Sequence, residues 1–317
     1  MNLLGTEIDG PIVAVRAVHF TATAVTAGAL MFRAVVAEPA LRSACKVNAE
    51  LDAQIRAIAW IGLAVSVVSG IIWLILEASA MGDQPWDEAV VSGTLLAVLN
   101  GTQFGLVSEI RLALAALVAI GLVYDSRGMP RWLALGAAVC LISSIAWTGH
   151  AGSTPDELGN LHLAADVLHL CGAAAWTGGL VSLALLLRVV RSYRATVGIS
   201  LMQLDAVRRF SFLGMASVAI LIMSGLVNSW ILVGSWRGLI ATDYGWILMF
   251  KVAIVAIMIM FAAVNRLLLV PRLVLPAHDS ALGGLMRNTV AEIVLAFLVF
   301  AVVGLLGTMH PAAHLVN

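Results

Sequence analysis

The sequence predicts an all-α polytopic membrane protein with eight transmembrane helices, both termini outside, and two parallel four-helix repeats. Three observations predict this fold: the composition, the apolar runs and an internal duplication. Of the 317 residues, 61% are hydrophobic and 11% are charged, and the mean hydropathy is +1.01. Soluble domains carry about 25% charged residues, so the composition indicates a chain embedded in a bilayer. The net charge of zero gives no indication of a nucleic-acid partner.

Eight apolar runs are long enough to cross a bilayer, which takes about 20 residues of helix. They cover residues 11–33, 56–78, 104–124, 131–149, 161–187, 210–234, 244–268 and 288–309, and are numbered here as spans 1 to 8. No basic region or small-residue cleavage site precedes span 1, so we interpret it as a retained helix and not as a signal peptide. Residues 86–101 are amphipathic, short and acidic, which favours a position at the membrane interface.

The distribution of Lys and Arg predicts the orientation. Fourteen of them lie in the loops after spans 1, 3, 5 and 7: Arg33, Arg42, Lys46, Arg56, Arg127, Arg131, Arg188, Arg191, Arg194, Arg208, Arg209, Arg266, Arg272 and Arg287. The termini and the other loops hold only Arg237. Because basic loops stay in the cytoplasm, both termini are predicted to be periplasmic, in a bacterial inner membrane. Six of the seven histidines, all except His278, then lie on the outer side.

Four sequence motifs recur in the same order in the two halves of the chain. TQFGLVSEIR (102–111) matches TDYGWILMFK (242–251), VSGIIW (68–73) matches MSGLVN (223–228), and TGHA (148–151) matches TMHP (308–311). His19 and His169 each precede a glycine by nine residues. We therefore predict two parallel repeats, residues 1–155 and 156–317, related by an axis along the membrane normal. The matched pairs are His19 with His169, His150 with His310, Arg111 with Lys251, and Arg16 with Asp166.

The stretch LHLAADVLHL in span 5 places His162, Asp166 and His169 within about 60° on one helix face. His169, and His19 in span 1, are expected roughly 12 Å below the outer surface. Such groups are costly in lipid unless they have partners or a function. They are either neutral histidines bonded to neighbouring helices or metal ligands, and the duplicated pair at equal depth favours ligands. Imidazole binds copper, zinc and haem iron, so the sequence predicts an outer metal site.

Other polar residues are candidates for this site. His150, His310, His314 and Met309 lie at the outer ends of spans 4 and 8, although a methionine there is often simply apolar. We expect Asp166 to orient a histidine. Arg111, Lys251, Glu109 and Glu292 are intramembrane charges, which either lock helices together as ion pairs or regulate a passing cation. Asn228 and Asn265 are expected to bond between helices.

Several of these segments together resemble the bacterial copper-resistance protein D (CopD/PcoD) family. They are GHA at 149–151, LHLAADVLHLCGAAAWTGGL at 161–180, RFSFLGMASVAILIMSGLVNSW at 209–230, TDYGWILMFKVAIVAIMIMFAAVNR at 242–266 and RNTVAEIVLAF, which opens span 8. The resemblance is best over about residues 145–310. It implies an inner-membrane protein that handles copper, with no enzymatic activity, and a separate periplasmic CopC-like chaperone as a possible partner.

Three functions therefore remain open at this point. In the first, copper of unknown oxidation state moves from the periplasm towards the cytoplasm through the outer histidines to His19 and His169, with Arg16, Arg111, Asp166 and Lys251 tuning the charge. In the second, His19 and His169 ligate a b-type haem for electron transfer. In the third, the protein is a membrane scaffold for a periplasmic copper chaperone.

Overall fold

The computed structural model describes residues 2–3, 6–7, 9–41, 45–124, 129–197, 201–273 and 278–315. Within these ranges eight helices are long and apolar enough to cross a membrane, which confirms the eight predicted spans. They are α1 (Gly10–Phe32), α2 (Cys45–Gly82), α3 (Gln103–Val123), α4 (Met129–Ser143), α5 (Asp156–Val197), α6 (Leu201–Val233), α7 (Asp243–Val264) and α8 (His278–Leu306). The short strands Asn2–Leu3 and Thr6–Glu7 pair with each other in an antiparallel ladder. They are the only β-strands among the described residues.

Several helices extend beyond the apolar runs or change their pitch near the end of a span. Helix α5 has 42 residues and α2 has 38, because their polar ends continue past the hydrocarbon core. Helices α1 and α7 continue into π-helical turns, Arg33–Ala37 and Asn265–Leu269. Helix α4 gives way to the 3₁₀ turn Ser144–Thr148, where hydroxyl groups bond to backbone carbonyls of the preceding turn.

The predicted interfacial segment is two short helices, Trp86–Val91 and Thr94–Gly101. Gly93, at φ +86°, makes the bend between them, a conformation that glycine adopts without steric cost. A short helix, Trp236–Ala241, precedes α7 in the same way. Thr102 and Thr242 then cap α3 and α7, each accepting a hydrogen bond from the backbone N–H three residues on, at 3.0 and 3.1 Å. The segments that enter α3 and α7 are thus built alike.

Helices α1 and α5 form the centre of the bundle and cross at Gly28 and Gly178. A Cβ atom on Gly178 would lie 2.7 Å from the Cα of Gly28, and one on Gly28 would lie 2.8 Å from the Cα of Gly178. Small residues allow this close approach of two backbones. Helix α1 packs against α2, α4 and α8, and α5 packs against α6, α8 and α4. These matched neighbours support the predicted repeat, which remains a prediction.

Ion pairs join the helices at the end of the bundle where the basic loops lie. Arg33 Nε is 2.6 Å from Asp52 Oδ1, and Arg131 Nη1 is 2.9 Å from Glu38 Oε2. These contacts connect α1 with α2 and α4. Arg42 and Arg127, which contribute to the predicted charge asymmetry, lie outside the described residues.

Candidate functional site

Most of the predicted site residues lie in two polar clusters, one in each half of the chain. We call Arg16, His19, Ser69, Trp73 and Arg111 the first-half cluster. We call Asp166, His169, Ser224, Asn228 and Lys251 the second-half cluster. Both clusters lie towards the end of the bundle that carries the short helices described above.

His19 and His169 make the same contacts in the two clusters. His19 Nδ1 lies 3.2 Å from Ser69 Oγ, and His169 Nδ1 lies 3.0 Å from Ser224 Oγ. Each ring also packs against the glycine that follows its serine, Gly70 or Gly225. The serines and glycines belong to the matched VSG and MSG motifs. A role of these Ser–Gly pairs in holding a histidine could be found in the sequence only by aligning the two halves.

The hydrogen bonds assign the tautomer of both rings. Ser69 Oγ donates to Val65 O at 2.6 Å, and Ser224 Oγ donates to Ile220 O at 2.6 Å. Because each hydroxyl hydrogen is used in this way, the serine oxygen accepts from the imidazole, and Nδ1 carries the proton. His19 Nδ1 also faces Ser66 O, at 3.0 Å. Nε2 of each ring then bears a lone pair, as a metal ligand requires.

The two imidazoles are held by different helices. His19 is bonded to α2 and His169 to α6. A cavity of about 30 Å³ borders His19 and is also lined by Ser66, Ser108 and Arg111. His19 Nε2 is buried and has no hydrogen-bond partner among the described residues.

The second-half cluster contains a carboxylate. Asn228 Nδ2 donates to Asp166 Oδ1 at 3.2 Å, and the Lys251 ammonium lies near enough for its charge to attract that carboxylate. The Lys251 charge also acts on His169. Asp166 therefore bonds to an amide and faces a cation, and the described contacts give it no hydrogen bond to a histidine.

The first-half cluster carries an excess of positive charge. The guanidinium carbons of Arg16 and Arg111 lie 5.0 and 5.2 Å from the ring centroid of Trp73, close enough for cation–π attraction. Arg111 donates to neutral groups, among them Thr148 Oγ1 at 2.7 Å. The nearby carboxylate is Glu77, which accepts from Trp73 Nε1 at 3.1 Å. The charge reversal between Arg16 and Asp166 thus makes two pockets of different electrostatic character.

Further polar groups extend the second-half cluster outwards. His162 is 1% exposed, and its Nδ1 lies 2.8 Å from Thr154 Oγ1. The His150 ring is 6.4 Å from the ring of Tyr244, whose hydroxyl group is near the Asp166 charge. His150, His162 and Tyr244 therefore lie between Asp166 and the end of the bundle that carries the short helices.

The remaining predicted residues have other positions. Glu109 lies on the exposed face of α3 and not in the bundle interior, because at this position the side chain points away from α2 and α4. Met309 packs in the apolar core of the second half, and His310 is exposed. The side chain of His314 lies outside the described part of the chain. Within that part, no three His, Cys, Asp or Glu side chains are arranged to hold a metal ion.

Sequence reasoning missed several residues of these clusters. Trp73 separates the two arginines, Thr154 holds His162, and Tyr244 bridges towards Asp166. Trp73 and Asn228 occupy the same position of the matched VSGIIW and MSGLVN motifs. That alignment was the available signal for Trp73, whereas nothing in the sequence pattern indicates a role for Thr154.

Two family models match the chain. One, described as copper resistance protein D-like, N-terminal domain, matches residues 7–161, and the other, copper resistance protein D, matches residues 204–306. The chain is 30% identical over 267 residues to copper resistance protein D of Pseudomonas syringae pv. tomato, covering 81% of this chain and 83% of that protein. It is 28% identical to the inner membrane protein YebZ of Escherichia coli K12, over 94% and 98% of the two chains.

A third relative is longer than this chain. The copper transport protein CutJ of Bacillus subtilis 168 is 29% identical over 219 residues, which are 67% of this chain and 38% of that protein. No solved structure matches the chain.

Proposed function

Because the chain belongs to the copper resistance protein D family, we propose that it binds copper within the membrane and moves it from the periplasm towards the cytoplasm. The first copper ligands are His169 of the second-half cluster and the two histidines that extend this cluster, His150 and His162. Copper arrives at His150 and His162, passes Asp166 and Lys251, and is bound at Nε2 of His169. A separate CopC-like chaperone at the outer face is the proposed supplier.

One observation carries this proposal. The imidazole of His169 is half-buried in the second half, with Nδ1 held by Ser224 and Nε2 left as a lone-pair donor. Imidazole nitrogen is a ligand for both oxidation states of copper. A serine that fixes the ring orientation is the kind of outer-shell partner that metal-binding histidines have.

The charges favour the second-half pocket over the first. A copper cation beside His169 faces the carboxylate of Asp166. The Lys251 ammonium is also attracted to this carboxylate and competes with copper for it. Beside His19 it would face Arg111 and Arg16, and the repulsion between like charges is unfavourable at any effective dielectric constant. We therefore propose that copper binds preferentially at His169, and that the equivalent pocket at His19 serves as a secondary site.

The test is metal analysis and a visible spectrum on one purified sample, followed by copper uptake into proteoliposomes. We expect stoichiometric copper, no haem absorption in the Soret region, and uptake above that of protein-free vesicles. A Soret band would instead favour the electron-transfer function. Copper binding without uptake would favour a scaffold for the chaperone.

The orientation also leads to a testable expectation. Single cysteines introduced for Arg237 and for Arg272 should be labelled from opposite sides of intact cells or spheroplasts by a membrane-impermeant thiol reagent. We expect the variant at Arg237 to be labelled from the periplasm, because basic loops remain in the cytoplasm. Labelling of both variants from the periplasm would contradict the assigned topology.

A further inference from the structure

A second polar group lies deeper in the second half, where α5, α7 and α8 meet. Glu292 of α8 is 1% exposed and sits in the largest apolar core of the bundle, among residues such as Leu285 and Ala296. Neither the predicted copper site nor the proposed route accounts for it. An intramembrane carboxyl group is rare and costly, and it therefore indicates a function.

The Glu292 carboxyl group is only half satisfied. Asn265 Nδ2 donates to Glu292 Oε1 at 2.7 Å, and Asn288 Nδ2 donates to Asn265 Oδ1 at 2.9 Å. Trp176 of α5 lies within interaction distance of the carboxyl group. Glu292 Oε2 is buried and has no hydrogen-bond partner among the described residues. The first residue of the π-helical turn in α7 is Asn265, and such turns occur frequently at functional sites.

This arrangement disfavours a resting negative charge. An ionised carboxylate in an apolar core costs several kcal/mol unless both oxygens are paired, and here one oxygen is not. No Lys or Arg side chain is within ion-pair distance of Glu292 in the described ranges. The neutral acid, with its proton on Oε2, is therefore the form that the surroundings favour.

Glu292 also lies in line with the proposed copper route. Trp176 follows His169 by seven residues, which is two turns of α5, and so lies on nearly the same face, roughly 10 Å further inwards. His162, Asp166, His169 and Trp176 thus form one continuous line along α5. By the alignment of TGHA with TMHP, the position equivalent to Glu292 in the first half is Trp132. The line is complete only in the second half.

We propose that Glu292 is a proton-binding site on the inner part of this route, and that it releases its proton when copper advances beyond His169. This inference rests on the proposed function. The O–H bond of the acid breaks, the proton passes to water on the inner side, and the carboxylate that remains balances the copper charge. Oxygen ligands hold soft copper(I) weakly, which suits a site that the ion must leave.

Other titratable or charged side chains lie on each helix that packs here. Those nearest in sequence are Cys171 and His169 on α5, Arg287 on α8, Arg266 just past the end of α7 and Arg33 just past the end of α1. Of these, Cys171 is about 140° from Trp176 around α5. Arg266 bonds to Ser211, and Arg33 pairs with Asp52. A proton bound in this region is therefore assigned to Glu292.

The test is infrared difference spectroscopy of the full-length protein with and without copper. We expect copper to remove a carbonyl band of a protonated carboxylic acid and to produce a carboxylate band. In Glu292→Gln this pair of bands should be lost, while copper stoichiometry is kept, because the glutamine oxygen still accepts from Asn265. Glu292→Asp, which keeps an acid, should shift the band and not abolish it.

Two control variants separate this site from other carboxyl groups. Glu109→Gln removes an exposed intramembrane glutamate and should leave the copper-induced bands unchanged. The same bands, measured in Asp166→Asn, test whether the Asp166 carboxylate contributes to them. Bands that persist in Glu292→Gln, or that are absent from the copper-bound native protein, would overturn the proposal. If the native protein binds no copper, the proposed function fails, and a pH titration of the same carbonyl band still tests whether Glu292 holds a proton.

Discussion

Replacing His169 with alanine is expected to lower copper affinity by more than about 100-fold, because it removes the proposed ligand, whose Nδ1 is bonded to Ser224 and whose Nε2 is the proposed metal-binding atom. His19→Ala should have a smaller effect, since its pocket contains two guanidinium groups. The measurement is competition for copper against a chelator of known affinity, on purified protein.

Ser224→Ala distinguishes a ligand from a structural histidine. Loss of the Ser224 hydroxyl leaves the imidazole in place, with its hydrogen bond to the Leu221 backbone, but removes the hydroxyl acceptor of Nδ1. The loss of such an outer-shell partner weakens metal binding by about 10–100-fold. His310→Ala, at an exposed position, is the matched control. Equal copper affinity of His169→Ala and the native protein would refute the assignment of this site.

Replacing Gly178 with leucine is expected to destabilise the folded protein by at least about 3 kcal/mol, the upper end of overpacking costs. Even the first carbon of a side chain would lie 2.7 Å from the Cα of Gly28, and neither backbone can move without separating α1 from α5. A lower melting temperature and a loss of the monodisperse gel-filtration peak are the readouts. Gly28→Leu should behave alike.

Gly214 offers a matched control for this prediction. It also lies in a membrane-spanning helix, α6, but a Cβ atom there would meet nothing within 4 Å. Gly214→Leu should therefore leave the melting temperature nearly unchanged. If Gly178→Leu were as stable as Gly214→Leu, the α1–α5 crossing would not be the centre of the bundle.

The number and places of the membrane helices could be predicted from the sequence because burial in lipid imposes long apolar runs. The helical periodicity also placed His162, Asp166 and His169 on one face of α5. Whether α1 and α5 brought their histidines into one pocket or two could not be predicted. That depends on helix rotation about the Gly28–Gly178 crossing, and it is set by side-chain packing.

The partners of single polar residues were predictable only in part. Asn228 and Asn265 do bond between helices, as expected, but to Asp166 and Glu292. The ion pair considered for Arg111 is absent from the described residues, since its guanidinium group donates to Ser144 and Thr148. Periodicity carries no information about which helices become neighbours. Such pairings therefore require the tertiary structure.

The contact between Gly28 and Gly178 has a consequence for how any solute could cross the membrane. The two backbones touch at Gly28 and Gly178 and leave no lumen between α1 and α5 at that level. On the proposed function, copper therefore passes beside this crossing, along the second-half cluster.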